Sequence, residues 1–205
     1  MSDESLSRDQ LDVDVMRDAR RLEAFSDSVM AVIITIMAFD LKTPATANFH
    51  GLEGRVPALL VYVLSFIFVG IYWNNHHHLL RATRRISGSV MWMNLHLLFW
   101  LSLIPFATAW VGSAHRSSLP ASVYGVVALG SALAYFLLVR AIVKANRDNA
   151  PLIKAVGRDT KGIVSPLFYV AGIGLAFVSP YFAYGCYAVV AIIWFVPDRR
   201  FVSGA

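Results

Sequence analysis

The chain has 205 residues, of which 57% are hydrophobic and 15% are charged. In a soluble domain, roughly a quarter of the residues are charged. This composition excludes an ordinary soluble domain and indicates an integral membrane protein. The formal net charge of +5 does not indicate nucleic-acid binding, because the basic residues lie between apolar runs instead of forming one patch. The single cysteine, Cys186, excludes an intramolecular disulfide.

Six apolar runs follow one another along the chain, and about 20 apolar residues are needed to cross the hydrocarbon core of a bilayer. They span residues 22–41, 57–80, 86–112, 119–143, 163–178 and 181–196. The pattern predicts an all-α membrane protein with six transmembrane helices within residues 21–197. We expect a polar, partly disordered cytosolic segment at 1–20 that is not a cleaved signal peptide, and a cytosolic tail at 198–205.

The last two runs are short and meet at Ser179–Pro180, so a broken hairpin or a single kinked segment is an alternative to two spans. The distribution of Lys and Arg favours six spans. With six, fifteen of the 18 basic residues lie on one side of the membrane, and Lys42, Arg55 and Arg116 lie on the other. Because basic residues accumulate on the cytosolic side, both termini are predicted to be cytosolic.

The first span has two different faces. At about 100° per helical residue, four residues fall within about 100° of one another and form one narrow stripe: Val32, Thr35, Ile36 and Phe39. Ser26 lies about 80° beyond one edge of this stripe, and Asp27 lies about 80° beyond the other. A carboxylate inside a membrane segment is costly and faces protein or a wet cavity, so we expect Ser26 and Asp27 to contact other spans.

Candidate partners for this polar pair lie at the same depth in the second and third spans. Trp73 and three consecutive histidines, His76, His77 and His78, end the second span, and Asn94 and His96 begin the third. Buried polar groups need partners in lipid, so we expect a Ser–Asp–His–Asn hydrogen-bond network. Consecutive helical residues point about 100° apart and cannot converge on one ion, so no metal site is predicted.

Nothing in the sequence points to catalysis. No nucleophile stands in a recognisable setting, and Cys186 has no base near it in sequence. The chain also lacks a glycine-rich phosphate-binding loop, so we expect neither an enzyme nor a cofactor. The polar loop at 144–162 is interpreted as a solvated cytosolic connector.

The residues Arg21-x-x-x-Phe25-Ser26-Asp27 resemble the RxxxFSD signature of the transmembrane protein 175 family of potassium channels. The similarity continues through the first three spans, in Trp73-x-x-His76-His77, in Asn94, and in Leu103-Ile104-Pro105-Phe106 followed by Thr108-Ala109-Trp110. The later spans match only in apolar character and number.

The resemblance implies a homotetramer in a prokaryotic plasma (inner) membrane, with four first spans lining a central potassium pore. It assigns the constriction to Val32, Ile36 and Phe39. It assigns to Thr35 a ring of hydroxyl groups at which K⁺ binds transiently. Val32 is smaller and Phe39 larger than the residues usual in the family, which moves the expected narrow point outward. A structural and gating network is implied for Arg21, Phe25, Ser26, Asp27, Trp73, His76 or His77, and Asn94.

Two other functions compete with a modestly selective, leak-type cation channel. A small proton- or cation-coupled transporter would use Asp27 and His77 as a proton relay, and a membrane scaffold would transport nothing. Inverted repeats would favour the transporter, but the two halves of the sequence show no convincing self-similarity. No span carries repeated arginines, which argues against a dedicated voltage sensor.

Overall fold

The computed structural model describes residues 3–157 and 160–195, and this part of the chain is entirely helical apart from its connections. The helices in chain order are α1 Asp3–Phe39, α2 Phe49–Glu53, α3 Val56–Arg81, α4 Gly88–Ser102, α5 Ile104–Ser113, α6 Ser118–Ala145, α7 Ala150–Val156, α8 Thr160–Leu175 and α9 Pro180–Phe195. The all-α prediction is confirmed.

Four helical stretches are long and apolar enough to cross a membrane: Arg17–Phe39, Val56–Arg81, Gly88–Ser113 and Ser118–Ala145. Two shorter apolar helices follow at Val164–Leu175 and Pro180–Trp194. Each of the six predicted runs therefore coincides with a helical stretch, and the last two form separate helices joined by a short turn. Val196, the predicted end of the sixth run, lies outside the described residues.

The N-terminal segment differs from the prediction. We expected residues 1–20 to be partly disordered, but α1 runs without a break from Asp3 to Phe39. This stretch contains neither Gly nor Pro, and both residues disfavour helix interiors. With nothing to interrupt it, the apolar span continues as a helix into the polar segment.

The third span is interrupted where its sequence contains proline. α4 ends at Ser102 with Leu103 as its C-cap, and Pro105 lies in the first turn of α5. Proline has no N–H to donate to the carbonyl four residues earlier, so it breaks a helix interior but is tolerated in a first turn. The predicted run at 86–112 is therefore one membrane-crossing stretch made of two helices.

The interior of the subunit is centred on α6, which packs against α4, α5, α8 and α9. Tyr124, Tyr169 and Tyr187 are buried there with their rings about 6 Å apart. The Tyr187 hydroxyl donates to the Ala121 carbonyl at 3.1 Å, and Tyr124 shares a 3.0 Å hydrogen bond with Ser65. These bonds satisfy phenol groups that lipid could not satisfy. By contrast, the main contacts of α1 in the described part of the chain are with α3, α4 and α5.

The polar loop after α6 is more than a solvated connector, which corrects the interpretation from sequence. Asn146 is fully buried, and its Oδ1 accepts hydrogen bonds from the backbone N–H groups of Arg84 and Arg85 at 3.0 and 2.7 Å. Its Nδ2 donates to the carbonyls of Arg85 and Ile142. Asn149 adds a 2.9 Å bond from its Nδ2 to the Ala82 carbonyl. Two asparagines thus fasten the α3–α4 connection to the end of α6.

Candidate pore helix and its polar contacts

The membrane part of α1 buries one face and leaves the other open in the subunit. Met30, Ile33 and Met37 are almost completely buried against the neighbouring helices. The stripe predicted from helical angles lies on the open face, where the exposed fractions of Val32, Ile36 and Phe39 are 56%, 45% and 84%. Thr35, the fourth member of the stripe, is also exposed.

The hydroxyl groups on this open face point their protons back into the helix. Thr35 Oγ1 donates to the Ala31 carbonyl at 2.8 Å, and Ser28 Oγ donates to the Ala24 carbonyl at 2.8 Å. A hydroxyl that donates a hydrogen bond to the backbone still has lone pairs with which it can accept one. The open face therefore presents oxygen acceptors between apolar side chains.

Three buried polar side chains join α1, α4 and α3. Ser26 Oγ donates to the Leu22 carbonyl at 2.8 Å, so it accepts from Asn94 Nδ2 at 2.9 Å. Asn94 Oδ1 lies 2.7 Å from His76 Nε2. Because that amide oxygen is an acceptor, His76 carries its proton on Nε2. Ser26, Asn94 and His76 are all fully buried. The direction of each bond follows from these partners: His76 donates to Asn94, Asn94 donates to Ser26, and Ser26 donates to the Leu22 carbonyl.

Asp27 does not join this chain of bonds, so the expected Ser–Asp–His–Asn network is divided in two. Asp27 lies beside Glu23 and His77, and one ligand-type atom from each lies within 4.8 Å of the other two. His77 Nδ1 is 2.7 Å from Glu23 Oε1, but the geometry of this contact is not that of a hydrogen bond. Asp27 Oδ1 is buried and has no hydrogen-bond partner among the described residues.

The two histidines that sequence reasoning left as alternatives therefore have different neighbours. His76 bonds to Asn94 and His77 lies against Glu23. Glu23 was missed by sequence reasoning. The available signal was its position four residues before Asp27, which places both carboxylates on one helical face.

Arg21, Phe25 and Trp73 lie apart from the buried hydrogen bonds within the chain, and the structural and gating network that the resemblance implies for them stays a prediction. Arg21 and Phe25 are exposed on α1. They precede Val32 by eleven and seven residues, which are close to whole numbers of helical turns, so they share its open face. Trp73 is partly exposed and stacks on His77, with ring centroids 5.8 Å apart.

The mixed character of the open face argues against simple lipid contact. A helix facing lipid presents apolar side chains, whereas polar and ionisable groups within membrane segments face protein or water. Here Arg21, Ser28 and Thr35 share a face with Val32 and Ile36. This face is therefore suited to contact with protein or water.

The chain is similar to known proteins. Residues 21–105 match the family described as endosomal/lysosomal potassium channel TMEM175. A protein named potassium channel from Chryseobacterium sp. is 48% identical over 180 residues, covering 88% of this chain and 94% of the relative. Another of that name from Streptomyces collinus is 30% identical over 190 residues, covering 87% and 92% of the two chains.

The fold is similar to a solved structure as well. The crystal structure of a lysosomal potassium-selective channel TMEM175 homolog from Chamaesiphon minutus superposes with a TM-score of 0.76 at 24% identity. The match covers 92% of this chain and 100% of the other. With sequence similarity extending over nearly the full length of two bacterial relatives, this chain belongs to the TMEM175 family.

Proposed function

We propose that this chain forms a potassium-permeable, modestly selective cation channel in which four copies of α1 surround a central pore. The observation that carries the proposal is the open face of α1, where the exposed Thr35 hydroxyl lies between the exposed apolar side chains of Val32, Ile36 and Phe39. Its family relatives named potassium channel support the choice of ion.

Cyclic symmetry is the simple way for one short repeat to enclose a pore. Four copies of the open face would place rings of Val32, Ile36 and Phe39 around the axis. Such apolar rings narrow a pore and can close it by dewetting. Phe39 is the most exposed and the bulkiest of the three, so the outer end of α1 contributes to the constriction.

The Thr35 ring is where we place the partly dehydrated cation. Each hydroxyl proton is already donated to Ala31, so four oxygens can turn lone pairs toward the axis. They replace part of the hydration shell without forming a carbonyl cage, and potassium sheds water more easily than sodium. The preference for potassium would therefore be modest.

Thr35→Val tests this account because valine keeps the branched shape and removes the oxygen. We expect a lower potassium-to-sodium permeability ratio, measured from bi-ionic reversal potentials in reconstituted bilayers. Thr35→Ser, which retains the hydroxyl, is the matched control and should preserve the ratio. An unchanged ratio in Thr35→Val would contradict the hydroxyl ring and leave pore width as the explanation.

The homotetramer is tested by disulfide trapping in a Cys186→Ala background. Val32→Cys on the open face should cross-link neighbouring subunits, whereas Met37→Cys on the buried face should not, because Met37 is only 1% exposed. Free labelling of the cysteine at position 32 by lipid-phase reagents, with no cross-linking, would contradict a central position for α1.

We place the chain in the inner membrane of a prokaryote with both termini in the cytosol. The support is the excess of basic residues at one end of the spans. Reporter fusions at the two termini should both be active in the cytosol. An external location of either terminus would contradict this topology.

A further inference from the structure

We propose that Glu23, Asp27 and His77 form a binding site for a divalent transition-metal ion of the zinc type, which bridges α1 to α3. The inference is independent of ion conduction, since it concerns contacts inside one subunit. It also differs from a site built on the three consecutive histidines, because only His77 takes part and the other ligands come from a different helix.

The geometry brings three ligand atoms together from two helices. Glu23 and Asp27 are one turn apart on α1, and His77 approaches them from α3. All three ligand atoms lie within 4.8 Å of one another, and His77 Nδ1 is 2.7 Å from Glu23 Oε1. Zinc bonds of about 2.1 Å in a tetrahedral site separate the ligand atoms by about 3.4 Å. Small side-chain rotations would therefore complete the site.

The charges at this position favour a dication. Carboxylates four residues apart on one helix repel each other. Among the described residues, Glu23 has no Lys or Arg within 4.0 Å, only His77, and Asp27 has no basic side chain within that distance. Asp27 Oδ1 is buried without a hydrogen bond. One divalent cation would neutralise both carboxylates and give this oxygen a partner.

The ligand set also selects the class of ion. Zinc and similar transition metals bind imidazole nitrogen together with carboxylate oxygen, whereas magnesium and calcium prefer oxygen ligands throughout. The side chains of His77 and Glu23 are 28% and 20% exposed, so the ligand atoms are not sealed inside the chain. Three protein ligands leave one coordination position for a water molecule.

Metal-free protein purified in detergent provides the test. Isothermal titration with Zn²⁺ should show a saturable site on each chain that excess Mg²⁺ does not block. Glu23→Gln and His77→Gln remove one ligand from each helix, and each should weaken binding by about tenfold or more. The control is His50→Gln, which alters an exposed His–Glu pair 3.8 Å apart on α2 and should leave the affinity unchanged.

Several results would overturn the proposal. These are the absence of saturable Zn²⁺ binding in the natural chain, equal competition by Mg²⁺, or unchanged affinity in both ligand variants. Size-exclusion profiles and helical circular dichroism establish that the variants are folded. If neither variant folds, Co²⁺ binding to the natural chain decides the question. An intense visible absorption band supports a low-coordinate site with protein ligands, and the weak spectrum of hydrated Co²⁺ refutes it.

Discussion

Replacing Asn94 by leucine should destabilise the subunit by removing the amide that joins Ser26 to His76. Leucine has the same number and branching of side-chain heavy atoms as asparagine, so no large cavity is created. Ser26 keeps its hydrogen bond to the Leu22 carbonyl, but His76 loses the acceptor of its Nε2 proton. His76 is fully buried, and its Nδ1 has no partner among the described residues.

The expected cost follows from that one orphaned donor. A buried donor left without a partner costs about 1–3 kcal/mol, whereas hydrogen bonds between membrane helices average about 0.6 kcal/mol in mutant cycles. Because His76 has no second partner for this proton, we expect the free energy of unfolding to fall by about 1–2 kcal/mol, in the lower part of the range for an unpartnered buried donor.

A double-mutant cycle with His76→Phe separates this bond from general packing effects. Each single variant orphans one partner, whereas Asn94→Leu/His76→Phe removes both, so the combined loss should be smaller than the sum by about 1 kcal/mol. Equilibrium unfolding in mixed detergent micelles, followed by tryptophan fluorescence, measures all four proteins. Additivity within about 0.5 kcal/mol would refute the assignment of the bond.

Three further changes test other parts of the structure. Gly130→Ala should lower the free energy of unfolding by about 1–3 kcal/mol, because a Cβ there would collide with the body of the Trp100 indole. The control is Gly174→Ala, whose Cβ meets nothing within 4 Å. Equal effects of the two substitutions would contradict this explanation. Ile36→Asn should wet the proposed constriction and raise single-channel current; an unchanged current would place the constriction elsewhere. Asn146→Ala should lower the free energy of unfolding by about 1–3 kcal/mol and with it the melting temperature, because two backbone N–H groups lose their acceptor. An unaltered melting temperature would show that water replaces the asparagine.

Helical periodicity was enough to predict the open stripe on α1, because side-chain direction in a straight helix depends only on residue number. The angle between Val32 and Ser26 follows from their spacing, and their exposures agree with it. The same arithmetic also places Arg21 and Phe25 on the open face, although the resemblance grouped them with Ser26 and Asp27 in one structural and gating network.

Contacts between helices were harder to predict. Depth matching brought Ser26, Asn94 and the histidines to one level of the membrane, but it did not fix the rotation of α3 that separates His76 from His77. The role of Asn146 was missed for a related reason. A polar loop sequence does not reveal whether its side chains turn toward water or toward the backbone of another connection.

The order of donors among His76, Asn94 and Ser26 has a consequence for proton movement. Each hydrogen bond in this chain is donated from α3 through α4 toward α1, and in the last one Ser26 Oγ donates to the Leu22 carbonyl. A relay needs groups that accept a proton on one side and release another on the opposite side, and the Asn94 amide, which does not titrate, cannot do this. The Ser26–Asn94–His76 bonds that hold α1 against α4 and α3 therefore do not form a proton relay.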